Sequence, residues 1–192
     1  STMDKASKEY KDTLTKAATE YGSIYNNYRQ RVGGLYARMY QGGCYQNMGN
    51  FKEALSYYDE LLQNPEEPKE FHELRTKVLL LAVDCWMHDS QKKYGEVLVK
   101  AGPWVEKAYP TEMRSKEIHA LRLAVARASK LMADQIKATK PKDPQVAQLM
   151  GDARKLAQFV ARSPGDLQKD AQKLLSELGV GSPNAEGEKS LP

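Results

Sequence analysis

Cysteine, phenylalanine and long apolar runs are scarce in this chain, and each scarcity narrows what it can be. Only two cysteines, Cys44 and Cys85, occur in 192 residues. That is too few for a disulfide framework, and neither has a second thiol at the spacing of a paired metal motif. Compartment therefore stays open. No run approaches the ~18 apolar residues that a membrane-spanning helix needs, and the opening STMDKASKEY has no apolar centre of the secretory-signal kind. The expectation is a soluble chain; because it opens on Ser1 rather than Met, the soluble part of a longer or membrane-anchored protein is one reading of it. β-Branched runs that would announce a sheet are missing, and the aromatic content leans on eleven Tyr against three Phe. Ala, Leu, Lys, Gln and Glu dominate, which predicts an all-α fold. Catalytic signatures are absent too: there is no nucleophile elbow and no zinc-protease helix. A non-catalytic protein without a cofactor is expected.

What is present is periodicity. Tyr10, Leu14, Ala17, Ala18, Tyr21, Ile24, Tyr25 and Tyr28 recur at three- and four-residue steps, so Asp4 to about Arg31 reads as one amphipathic helix, with a bend at Gly22. Gly33 and Gly34 break the chain, Leu35 to Met48 forms a second helix, and Gly49 with Asn50 makes a tight turn into a third, Phe51 to Gln63. Asn64 to Pro68 is a loop, and Pro68 opens a helix that runs to about Asp89. A weaker helix follows from Gln91 and must stop or kink at Gly102 and Pro103, because proline donates no N–H. Pro110 and Thr111 open a long helix to about Lys137. Asp143 with Pro144, and Ser163 with Pro164 and Asp166, sign two further starts, each an N-cap oxygen followed by proline. The last helix ends near Leu178 and Gly179, and residues 179–192 have the composition of a flexible tail. A tail held in place would suggest that it lies on a groove as a stand-in for a ligand.

Sliding the chain on itself by 41 residues lays Gly42 to Met48 over Val83 to Asp89, so that a cysteine followed by a large aromatic falls on the same pair. Both copies are followed by a turn and a second helix, with Phe51 before Ala54 in one and Tyr94 before Val97 in the other. Helix pairs recurring every 30 to 50 residues or so are how stacked helical repeats announce themselves. In the first copy a small residue, an aromatic three later, a turn glycine, an alanine and a further aromatic stand at Gly42, Tyr45, Gly49, Ala54 and Tyr58. That stretch resembles a tetratricopeptide repeat. The spacing is a packing device: Gly42 admits the partner helix, Tyr45 and Tyr58 fill the gap between helices, and Ala54 stands where the axes cross. Arg38 and Gln41 depart from the pattern, which wants a bulky aromatic and a leucine there, and Pro65 comes about one place early.

The resemblance implies an α-α superhelix, a solenoid of about three helical hairpins in one domain over residues 1–178. The best repeat is 35–65, followed by degenerate ones at 68–109 and 111–178, with the N-terminal helix packed as a cap or as the second half of a preceding repeat. The stretch from Ala153 to Leu178 is similar to the capping region of bacterial repeat proteins of this type. In that family, ligands lie in the concave face lined by the first helix of each hairpin. Carried over position by position, the face presents Tyr36, Met39, Gly43 and Asn47, and in the second copy Lys77, Leu80, Asp84 and His88. Packing against the N-terminal helix is the bland alternative for some of these. The Lys and Asn clamp by which chaperone-binding members hold a terminal carboxylate is not reproduced here.

Other candidate sites have plainer readings. Cys85 and His88 share a helix face, as two metal ligands could, but His72 and His119 supply no third and fourth ligand by spacing. A Cys44–Cys85 disulfide requires Cα atoms within ~7 Å, whereas packed helices stand about 8–10 Å apart. Gly33 with Gly34 and Gly42 with Gly43 lack the preceding strand and the Lys-Ser/Thr ending of a phosphate loop. Glu66 and Glu67 read as solvated loop carboxylates.

Net charge is +4, and between Arg114 and Lys173 stand 13 Lys or Arg against 6 Asp or Glu. Lys130, Lys137, Lys140, Lys142, Arg154, Lys155 and Arg162 could therefore meet phosphates or an acidic protein, or simply form a solvated helix face. Phe159 is the only aromatic after Tyr109, so no stacking platform for bases exists there. The functional expectation is a scaffold that binds an extended or helical peptide of another protein in the concave face. Charge-driven binding of nucleic acid, acidic protein or an anionic membrane surface by the basic half, and structural self-assembly as a homo-oligomer, are the alternatives.

Overall fold

The computed structural model describes residues 7–63, 69–108 and 110–180. Within them the protein is all-α, with eight helices and no strand. Two compact units divide the chain between His88 and Asp89, inside the expected second repeat. The first unit holds α1 (Lys8–Asn27), α2 (Val32–Asn47), α3 (Phe51–Leu62) and α4 (Lys69–Met87). The second holds α5 (Tyr94–Glu106), α6 (Lys116–Thr139), α7 (Pro144–Ala161) and α8 (Gln168–Glu177).

In the first unit each helix packs on the next in sequence, and α2 also lies beside α4. The α2–α3 hairpin forms as its residues dictate. Gly49 takes φ +79°, the left-handed conformation that a glycine adopts without penalty. Its N–H donates to the Gln46 carbonyl at 2.9 Å and that of Asn50 to the Tyr45 carbonyl at 2.9 Å, the paired bonds of a Schellman turn. Asn50 then caps α3, its side chain accepting from the Glu53 N–H at 3.4 Å. Ala54 and Tyr58 are fully buried, and the Tyr58 hydroxyl donates to Gln46 Oε1 at 2.7 Å. A methyl at Gly42 would meet the Tyr58 ring at 2.6 Å, so only glycine lets that ring lie on α2.

Several boundaries differ from the local signals, among them the end of α1, at Asn27 rather than about Arg31, and the start of α5, at Tyr94 rather than Gln91. Helix α2 begins at Val32, not after the glycines. Gly34 passes so close to Tyr28 that a Cβ there would stand 2.0 Å from the Tyr28 carbonyl oxygen, which lets the chain turn from α1 into α2 within four residues. Helix α6 begins at Lys116 rather than at Pro110, because the Ser115 hydroxyl accepts from the Ile118 N–H at 3.2 Å and fixes the cap there. Ser163 and Pro164 do not open α8. The Ser163 hydroxyl instead donates back to the Phe159 carbonyl at 3.1 Å, Gly165 stands at φ +150°, and the helix starts at Gln168.

Two breakers prove weaker than their residue types suggest. Gly22 does not interrupt α1; a methyl there would meet the Gln41 amide at 2.8 Å, so this glycine serves the approach of α2. Helix α5 runs through Pro103 to Glu106. The N–H that proline lacks would have served Val99, four residues back, and Val99 is 70% exposed, so water reaches that turn. The start at Asp143 and Pro144 forms as expected, with the Asp143 carboxylate accepting from the Gln145 N–H at 2.9 Å.

In the second unit α6 packs on α5 and α7, and α7 on α8. Its core is built from Leu123, Ala126, Ala153, Ala157, Val160, Ala171, Leu174 and Leu175, and the alanines let the helices approach closely. The expected loop residues Pro65, Glu66, Glu67 and Pro68, and the tail from 181 to 192 with the groove contact expected of it, lie outside the described residues.

Candidate functional site

The candidate face belongs to α2 and α4. The 41-residue register places Tyr36 over Lys77, and those two residues meet: Lys77 Nζ stands 3.5 Å from the Tyr36 hydroxyl and 5.7 Å from its ring centroid. Tyr58 of α3 packs on Gly42, and burial first, with smaller contributions from Cys85 and Asp84 of α4 and from Cys44, raises its hydroxyl above its ordinary value. Helices α2 and α4 lie side by side.

The residues expected on this face divide by exposure. Asn47, Asp84 and His88 are exposed, while Tyr36, Gly43, Lys77 and Leu80 are half-buried. Met39 is buried, so it packs in the core and is not available to a ligand. Lys77 donates to Glu73 Oε1 at 2.8 Å; that bond, outweighing partial desolvation, raises the ammonium above its ordinary value, and Tyr36 adds to the effect. Asp84 keeps solvent exposure, yet desolvation by surrounding protein raises its carboxyl. The His88 ring packs on Phe51 with centroids 4.2 Å apart.

Two further residues extend the face, and the sequence reading had placed neither there. Tyr40, 49% exposed, stands between Tyr36 at 6.3 Å and Tyr21 of α1 at 5.5 Å, centroid to centroid. Together with Lys77 they make an aromatic ladder that crosses α1, α2 and α4. Tyr36 and Tyr40 are four residues apart, one helical turn, which is the signal that could have found them. Tyr21 carried no such signal, because the apolar stripe of α1 accounts for it equally well.

Arg38 and Gln41, the departures from the repeat pattern, belong to one network behind this face. The Arg38 guanidinium lies between the rings of Tyr25 at 4.6 Å and Tyr57 at 4.3 Å. It donates to Glu60 through Nε at 2.9 Å and through a second nitrogen, and to Gln41 Oε1 at 2.9 Å. Tyr25 completes the network by donating to Glu60 Oε1 at 2.6 Å. A planar cation fills the slot where the pattern wants a ring. Burial alone would raise the Glu60 carboxyl; hydrogen bonds from Tyr25 and Arg38, with the charges of Arg38 and Arg29, outweigh it and hold the group below its ordinary value.

The remaining candidates separate. Cys85 is fully buried and His88 exposed, so the pair does not converge, and among the described residues no group of three or more His, Cys, Asp and Glu could hold a metal. Cys44 and Cys85 are both free thiols. Of the basic residues, Lys130 pairs with Asp134 at 2.9 Å, Lys155 approaches Asp152 at 3.9 Å, and Arg154 donates to the Leu178 carbonyl at 3.1 Å, closing the end of α8. Lys137, Lys140, Lys142 and Arg162 stand exposed. Among the described residues no helix is long and apolar enough to cross a membrane. No family model matches this chain, and neither does a curated protein or a solved structure.

Proposed function

We propose that helices α1 to α4 form a tetratricopeptide-like module and that the protein is a non-catalytic scaffold, binding a peptide segment of a partner protein on the face made by Tyr21, Tyr36, Tyr40, Lys77, Asn47 and Asp84. The supporting observation is the Tyr36–Lys77 contact at the repeat offset. It sets α2 beside α4, and along that line stand partly exposed rings carrying both hydroxyl and π surfaces. Aromatic rings of this kind give large contact area at small entropy cost, and Lys77, Asn47 and Asp84 supply donors and acceptors for a peptide main chain. Helix α1 then takes the place of the second helix of a preceding repeat.

A displayed random-peptide library selected on the full chain tests this. Recovered peptides should bind about tenfold more weakly to Tyr40→Ala and to Lys77→Ala, with little change between low and moderate salt. Both side chains keep solvent exposure, so neither change should unfold the unit. Peptides that bind all variants alike, or that leave with moderate salt, would move the interaction to the basic surface around Lys137, Lys140, Lys142 and Arg162.

A further inference from the structure

Among the described residues, the second unit buries a positive charge that makes no ion pair. Arg122 of α6 is 4% exposed. Its guanidinium donates to the Met113 carbonyl and stacks on the Phe159 ring at 4.2 Å. No carboxylate pairs with it among the described residues. Burial lowers its pKa, yet a guanidinium stays charged in a protein, and a buried charge without a partner is costly.

One turn earlier on the same helix face stands His119, 8% exposed, its ring edge-on to Phe159 at 6.0 Å. Its Nε2 is sealed from water and has no hydrogen-bond partner. The imidazole forms part of the wall of a cavity of about 200 Å3, with Arg114, Lys116, Ser163, Asp166 and Gln168 around it. The cavity lies at the start of α6. There Ser115 takes the Ile118 N–H, while the N–H groups of Lys116 and Glu117 have no acceptor among the described residues. First-turn N–H groups and the helix dipole both favour negative charge at such a place.

We infer that this cavity binds a phosphate group, held by the Arg114 and Lys116 side chains and the first-turn N–H groups of α6, with Arg122 behind His119 adding its uncompensated charge. A tetrahedral dianion suits the site better than a single carboxylate, because it offers acceptors to several donors at once and balances more than one cation. Asp166 is the built-in competitor. It lines the same cavity and holds Lys116 at 2.9 Å, so a bound phosphate takes Lys116 away from it. The charges acting on His119 are those of Arg122 and Arg114, from α6 and its approach, while Lys116 and Asp166 line the same cavity. Burial first, then the charges of Arg122 and Arg114, hold the imidazole below its ordinary pKa; a dianion beside it reverses the electrostatic part.

The experiment is a calorimetric and NMR titration of the full chain with inorganic phosphate, and in a second arm with O-phosphoserine, at constant ionic strength. Saturable binding is expected, with the His119 ring resonances moving and its apparent pKa rising. Lys116→Ala should weaken binding about tenfold, whereas Asp166→Asn should tighten it about threefold. The side chains of Lys116 and Asp166 are 70% and 79% exposed, so both variants keep the fold. Tighter binding of phosphoserine than of phosphate assigns the natural ligand to a phosphorylated side chain, and the reverse order assigns it to the free ion. Absence of saturable binding, binding that leaves His119 unmoved, or an Asp166→Asn variant that binds more weakly would each overturn the assignment.

Discussion

Adjacent glycines in α2 should respond oppositely to the same substitution. Replacing glycine by alanine inside a helix gains about 0.5–1 kcal/mol from backbone entropy. At Gly43 the new methyl finds only the Tyr58 hydroxyl, 4.0 Å away, so that gain should appear nearly whole. At Gly42 the methyl meets Tyr58 Cε1 at 2.6 Å, Cδ1 at 3.1 Å and Cζ at 3.2 Å, against the 3.4–4 Å of ordinary contact. The ring cannot swing aside, because it is fully buried and its hydroxyl is tied to Gln46 at 2.7 Å. Overpacking of this kind costs about 1–3 kcal/mol, so Gly42→Ala should be net destabilising by about 1–2 kcal/mol while Gly43→Ala is neutral or stabilising. Urea unfolding followed by tyrosine fluorescence and circular dichroism reads both variants. Equal shifts of the same sign at the two positions would refute the packing of Tyr58 on Gly42, and with it the repeat-like hairpin.

The Arg38 network gives a second test: Arg38→Ala should destabilise the first unit by about 1–3 kcal/mol, and Arg38→Lys should restore little of it, since an ammonium cannot lie flat between Tyr25 and Tyr57. Denaturant midpoints of the three proteins compare them directly. Because the Glu60 carboxyl is held below its ordinary value of 4.5, its contribution to stability is present above that pH and is lost as pH falls through the lower folded value. A stability–pH profile of Glu60→Gln should therefore lie closer to wild type in acid than at neutral pH, and a constant offset would contradict the linkage. Burial, with the Asp84 charge second, pushes the Cys85 thiol up to about 12, and burial raises Cys44 as well. Both thiols should resist a disulfide reagent at pH 8 in the folded protein and react together in denaturant; rapid labelling of either without denaturant would show that its helix opens.

Much of the helical layout was legible because short-range rules act on it. Period-3.6 apolar spacing announced α1 to α4, Gly49 and Asn50 could do little but turn, and Asp143 with Pro144 could do little but start a helix. The same spacing, read through the 41-residue offset, brought Tyr36 to Lys77. Long-range partners settled the rest. Ser163 had the residues of a cap, yet its hydroxyl found a carbonyl behind it and α8 began five residues later. Arg38 looked like a failure of the pattern until Tyr25, Tyr57 and Glu60, drawn from two other helices, closed around it. Met39 was lost to the core and Tyr21 gained by the face for the same reason: periodicity says that a residue lies on a stripe, not which neighbour covers that stripe. Sequence alone therefore determined the helices, their main hairpin and the glycine that lets it close, since caps, turns and periodicity act within about one helical turn. Which side chains stay exposed to a partner, and that His119 came to wall a cavity while Arg122 was buried against Phe159, depended on contacts between helices far apart in the chain, which no local pattern encodes.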